Sequence, residues 1–190
     1  MVKAGLSALA DLPGGIGLLT VALFVTVSTT TAAAAGDGKA VERPWMETTG
    51  GTTAVATADC DVSGFPVVVC PATEDLTLTG THVGQASLTG VGTGTIDFSQ
   101  SCLTPDGLSG NPYVSAYDEV IVAADGSELH AHSVNVGCLL EFGLPTAFTG
   151  TRTITGGTGR FEGATGSVAF SGVGIGDAIE DMTGHGLSLI

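Results

Sequence analysis

From about residue 52 onward, apolar and polar side chains alternate with period two, in runs rich in threonine, valine and glycine. A two-residue repeat places one apolar face on a half-buried β-strand. On this basis strands are predicted at 52–58, 65–69, 76–83, 86–98, 113–123, 128–136, 146–155, 164–172 and 183–190. Asp125-Gly126 is a good hairpin turn between two of them. A loop rich in serine, glycine and proline is expected at 100–112, pinned by Cys102. No run of useful length carries a helical repeat, and 176–181 is read as a single helical turn. Residues 36–51, mixed in composition and containing Pro44, read as a flexible lead-in whose Trp45 docks on the folded domain.

Runs of this spacing with turn signals between them suit a meander, sandwich or barrel rather than βαβ units. Repeated Thr-Gly steps favour the barrel. Glycine inside a strand allows bulges and tight coiling, which closing a small barrel requires. Closure also removes edges that would recruit other chains. The expected fold is therefore all-β, a single antiparallel barrel of about eight strands over 52–190, with a jelly roll or sandwich as the alternative.

The segment from Thr155 to Gly166 carries Gly156, Gly157, Gly159, Gly163 and Gly166 between two strand-like runs. Glycine is the default where a chain must take positive φ or pass close to another backbone, so a compact strand-to-strand corner is expected. Phe161, its one large apolar residue, is the natural plug for a barrel mouth. Gly156-Gly157-Thr158-Gly159-Arg160-Phe161 followed by Gly163-Ala164-Thr165-Gly166 resembles the GGTGxF…A-x-G segment of dirigent proteins and allene oxide cyclase-like barrels. It is similar above all to small secreted prokaryotic proteins with GGTGRF-x-GATG. Thr81-His82-Val83-Gly84 and Ala123-Ala124-Asp125-Gly126 are similar to two further pieces of that group and occur in the same order. The resemblance implies an eight-stranded antiparallel barrel around an apolar cavity, working without a cofactor. Dirigent proteins orient coupling radicals, and allene oxide cyclases fold a reactive fatty-acid epoxide. The active-site residues of those enzymes have no counterpart in the matching segments.

Residues 1–35 read as a signal peptide: Lys3, then an uncharged stretch with a strongly apolar core at 16–27, then the run Ala32 to Ala35. An uncleaved anchor is the alternative, since the stretch is long enough to span a bilayer. Lys3 and Asp11 offset each other, so the remainder keeps the net charge of −14. That surface repels nucleic acid and anionic lipid, whose phosphates need clustered Lys and Arg. It also keeps a valine- and glycine-rich β-protein soluble. An even cysteine count in an exported chain reads as two disulfides. Cys60–Cys70 and Cys102–Cys138 are preferred among the three possible pairings. No C-x-x-C spacing supports zinc. The reading is of a secreted or cell-envelope protein.

Glu128, His130 and His132 share one face of a predicted strand. Two alternating imidazoles and a carboxylate could grip a metal if His82 or Glu141 completed the shell. Facing the lumen, His130 and His132 with Glu128, His82 or Tyr117 could instead orient a ligand or supply a general base. The plainer reading puts Leu129 and Ala131 inward and the histidines in solvent, leaves His82 to a strand-end hydrogen bond, and gives Arg160 a pinning role with Glu162 or another carboxylate. No metal site or cofactor is expected. The glycine segment lacks the G-x-x-x-x-G-K-[ST] order of a phosphate loop, and no G-x-S-x-G occurs. The function expected is non-catalytic binding of a small apolar ligand in the barrel. The alternatives are a cofactor-free cyclase or isomerase positioning a reactive lipid or phenolic substrate, and an extracellular interaction module.

Overall fold

The computed structural model describes residues 42–55, 59–140, 145–175 and 178–189. Among these described residues the two-residue alternation becomes nine strands: β1 (Glu42–Val55), β2 (Val67–Gly80), β3 (Gly84–Asp97), β4 (Cys102–Leu103), β5 (Ser109–Ala123), β6 (Glu128–Leu139), β7 (Pro145–Gly157), β8 (Thr165–Ile175) and β9 (Ala178–Leu189). Every pairing is antiparallel. The strands follow one another round the sheet, and β3 pairs with β5 to bring its two ends together. The result is a closed eight-stranded barrel, with β4 as a short ribbon on the start of β5. Closure leaves none of the long strands with a free edge, so the sandwich alternative does not arise.

Several boundaries differ from expectation. Residues 42–51, read as part of a lead-in, make up most of β1, hydrogen-bonded between β2 and β9. Trp45 does more than dock on the barrel: it is buried inside it. Pro44 and the isolated charges masked the alternation there. The expected strands at 65–69 and 76–83 form a single strand, β2. Pro71 and the pair Glu74-Asp75 suggested a break. However, the β1 ladder ends where Val55 faces Ala72, so the missing N–H of Pro71 removes no rung there. Residues 178–181, expected in a helical turn, belong to β9. The expected signal peptide and residues 36–41 of the lead-in lie outside the described residues.

One end of the barrel is filled by Trp45, Leu78, Leu88, Ile121, Leu129 and Phe161. Phe161 arrives on a single 3-10 turn, Gly159–Phe161, that links β7 to β8. Its burial in this cluster is the plug expected from sequence. Gly159 and Gly163 take positive φ (60° and 77°). A Cβ on Gly157 would strike the backbone of Phe161, and one on Gly166 the backbone of Ser188. Towards the other end, inward positions such as Gly94, Ile96, Tyr113 and Gly137 are only half buried, so that end is the less sealed.

The glycines within the strands perform a spatial task that composition alone did not disclose. Large inward side chains lie across glycines of neighbouring strands. Glu74 covers Gly90, Glu47 covers Gly184, Phe170 covers Gly150 and Tyr113 covers Gly137. The barrel interior is narrow, and a side chain can lie flat only where its neighbour has none.

Two disulfides, Cys60–Cys70 and Cys102–Cys138, have the preferred pairing. The first holds the segment before β2 against that strand, where Asp61 and Val69 exchange backbone hydrogen bonds of 2.7 and 3.1 Å. The second ties β4 to the end of β6. Each is expected to stabilise by about 2–4 kcal/mol. Gly184→Ala, whose Cβ would sit 2.8 Å from Glu47 Cγ, should cost about 1–3 kcal/mol in urea unfolding. Gly94→Ala, which would meet nothing within 4 Å, should stay within about 0.5 kcal/mol of the parent. Equal losses at both positions would show that the glycines do not act through space.

Candidate functional site

The same alternation that builds the apolar end carries four charged residues into the barrel. Glu47 shares a face with Trp45, Glu74 with Leu76 and Leu78, Glu119 with Ile121, and Arg152 with Ile154. All four are buried, at 4%, 6%, 3% and 1% exposure. Gly90 stands between Glu74 and Glu119 in the strand register, and its missing side chain lets the two carboxyls meet.

Arg152 is the hub. Its Nε donates to Glu119 Oε2, one terminal nitrogen donates to Glu47 Oε1, and the other donates to Glu119 Oε1 at 3.3 Å. Trp45 Nε1 donates to Glu47 Oε2 at 2.7 Å, joining the cluster to the plugged end. The guanidinium also lies 5.4 Å from the ring centre of Phe170. Burial works to lower the Arg152 pKa. The charges of Glu119 and Glu47 outweigh it and hold the pKa above its ordinary value.

Glu74 has no such partner. Burial, then the charge of Glu119 and a hydrogen bond with that carboxyl, push it up to about 9, against a smaller opposing pull from Arg152. It is therefore a neutral acid near neutral pH. Tyr117 is raised by its burial first and then by the charge of Glu74. Burial chiefly raises Tyr113, nearer the less sealed end. Several buried polar atoms make no hydrogen bond to the protein: Glu74 Oε1, Thr49 Oγ1, Ser133 Oγ and Asn135 Oδ1 on inward positions, and Ser188 Oγ at the plugged end. Ser133 stands in register between Tyr117 and Arg152. Unpaired buried polar atoms are costly, and their concentration around one charged cluster marks the lumen as the candidate site.

The residues singled out from sequence divide sharply. His130 and His132 point into solvent, each about half exposed, because Leu129 and Ala131 take the inward positions. His130 Nε2 lies 3.3 Å from Glu128 Oε2, and His132 Nδ1 lies 2.9 Å from Asp118 Oδ1. The lumenal role considered for His130, His132 and Glu128 is thus corrected: one residue of register separates them from the interior. His82 reaches the Pro44 carbonyl at 2.9 Å, with its ring centre 5.9 Å from that of Trp45, and so joins two elements at the plugged end. Tyr117 does face inward, beside Glu74. Arg160 pairs with Asp125 at 3.4 Å, hydrogen-bonds the Val83 carbonyl and covers the Phe161 ring; Glu162 is not its partner. Glu141 lies outside the described residues. No group of three or more His, Cys, Asp or Glu among the described residues is arranged to hold a metal ion. Glu47, Glu74, Glu119 and Arg152 went unnoticed in sequence, although extending each strand's alternation through its charged residues would have turned all four inward.

Comparison of the chain with protein-family models, with curated proteins and with solved structures finds no match in any of the three. Fold and site together define the class of protein: a closed antiparallel β-barrel, plugged at one end, with a carboxyl-rich lumen centred on one guanidinium.

Two measurements probe the cluster. Arg152→Met should cost about 3–5 kcal/mol in chemical denaturation, because it strands buried carboxylates without their cation. For Glu74, the unfolded chain ionises near 4.5 and the folded protein near 9. Between those values the folded state holds the extra proton. Stability from this group is complete below the lower value and lost as pH rises through the upper one. Thermal melts of Glu74→Gln against the parent should therefore diverge with rising pH in favour of the variant, by roughly 1 kcal/mol per unit. A pH-independent difference would rule out the buried neutral acid.

Proposed function

We propose that the protein is an exported barrel of the allene oxide cyclase/dirigent type that holds a small, largely apolar ligand in its lumen without transforming it. The observation that carries this reading is the set of unpaired inward polar atoms, Glu74 Oε1, Thr49 Oγ1 and Ser133 Oγ, around the Arg152 cluster. Binding sites commonly combine an apolar wall with a few such convergent groups. Phe148 and Phe170, edge to face with centres 6.5 Å apart, and Met182 supply apolar wall beside them. The type assignment rests on the ordered glycine, Thr-His-Val-Gly and Ala-Ala-Asp-Gly segments together with the barrel topology. Export is supported by the two disulfides, which belong to an oxidising compartment. No helix among the described residues is long and apolar enough to cross a membrane. A net charge of −14 argues against nucleic acid as a partner.

A cofactor-free cyclase or isomerase is the second reading, favoured by one observation. Glu74 is a proton-bearing acid in contact with Glu119, which is itself held by Arg152. Neighbouring carboxyls in different protonation states can serve as acid and base. In that case positioning in the lumen would do most of the work, with Glu74 and Tyr117 rather than the surface histidines facing the substrate.

Native mass spectrometry of gently extracted protein should show a small-molecule adduct that is lost on denaturation. Ser133→Phe, which places a ring beside Arg152, should weaken or abolish it. A bare mass for the parent protein overturns the ligand-binding reading. Recovery of the bound molecule in chemically altered form would favour the enzyme.

A further inference from the structure

Among the described residues the lumen contains three carboxyl groups and one guanidinium, and the hydrogen bonds show how that cation is used. All three Arg152 nitrogens are spent on Glu119 and Glu47. Glu74 therefore lies in the same interior without a cation of its own, and its Oε1 makes no hydrogen bond to the protein. The other unpaired inward atoms can all accept: the Asn135 side-chain oxygen and the hydroxyls of Thr49 and Ser133. Aromatic surface lies close by. Tyr117 is buried and near enough to Glu74 to feel its charge, and Tyr113 lines the less sealed end. Acceptors, an uncompensated carboxyl and aromatic rings together suit a cation and disfavour an anion.

Resting on the reading that the lumen holds a small ligand, we infer that this ligand is an amphiphilic amine whose protonated nitrogen sits against the Glu74 carboxyl, displacing that carboxyl's proton to solvent. The balance is simple. R–NH3+ meets Glu74–COOH, an ammonium–carboxylate pair forms, and one proton passes to the buffer. No covalent bond to carbon is made or broken, and no oxidant or co-reactant is needed. The groups that face Glu74 act in one direction. Glu119 on β5 opposes ionisation of Glu74, Gly90 on β3 contributes no side chain, and Arg152 on β7, already shared with Glu47 on β1, compensates only in part. An added cation at this point relieves the conflict, so binding and proton release are linked. The apolar body of the amine would lie along Phe148, Phe170 and Met182.

The test uses the disulfide-bonded full chain and three probes that share one apolar body: 2-phenylethylamine, 2-phenylethanol and phenylacetate. Titration calorimetry near neutral pH, in two buffers of different ionisation enthalpy, gives both affinity and proton count. The amine is expected to bind at least about tenfold more tightly than the alcohol, with the carboxylate weakest. About one proton should be released per amine bound. Glu74→Gln should abolish the proton release and lower amine affinity about tenfold, so that the preference for amine over alcohol is lost. The proton count on the parent protein stands without any variant. The alcohol or carboxylate binding as tightly as the amine, or amine binding with no proton released, overturns the ammonium assignment and leaves lumenal binding intact. Binding of none of the three overturns it too, while the co-purifying adduct decides the broader reading separately.

Discussion

A single guanidinium with no access to solvent holds the middle of this barrel together. Arg152 projects from β7 and grips Glu47 on β1 and Glu119 on β5, so it links strands that are not neighbours in the sheet. Backbone ladders join each strand only to the next. The guanidinium spans the interior and helps set how the wall curves around it. Taking a charge this far from water is costly, and it is sustained only because every nitrogen is engaged. A narrow charged cluster built on a fully hydrogen-bonded guanidinium also specifies one arrangement of strands more sharply than apolar filling would.

Room for that cluster comes from residues that contribute no side chain. Gly90 and Gly184 leave the space in which Glu74 and Glu47 lie, and Gly150 and Gly137 do the same for Phe170 and Tyr113. The glycine content of the strands and the charge in the lumen are thus two halves of one packing solution. Glycine inside a strand weakens it locally. Closing the sheet through the β3–β5 ladder offsets that loss, because every long strand gains hydrogen-bonded neighbours on both sides.

The two faces of β6 show how one residue of register divides interior from surface. Inward lie Leu129, Ala131 and Ser133; outward lie His130 and His132, each beside a carboxylate in solvent. The histidines, the most reactive-looking residues in the chain, rest against surface carboxylates in exposed contacts that contribute little to stability. The residues whose acidity the fold shifts are instead glutamate and tyrosine, whose properties are ordinary until burial alters them. Glu74 is an acid near neutral pH because of where it is, next to Glu119 and beyond the full reach of Arg152.

Much of the fold was legible along the chain. Period-two alternation implies strands, frequent turns between them imply antiparallel order, and the Gly156–Gly166 segment with Phe161 implies a corner that plugs one end. Even cysteines in a chain of this kind imply two bridges, and the pairing by nearness in sequence agrees with the structure. The alternation even encoded the inward direction of Glu47, Glu74, Glu119 and Arg152, but a charge on an apolar face reads as a break until its partners are known. Those partners stand 33 and 105 residues from Arg152. Local sequence therefore determined which faces are apolar and where the chain turns, because strand geometry is a property of neighbouring residues. Closure, and with it the meeting of one arginine with glutamates from distant strands, was decided by tertiary structure alone, because burial and charge pairing belong to the whole barrel.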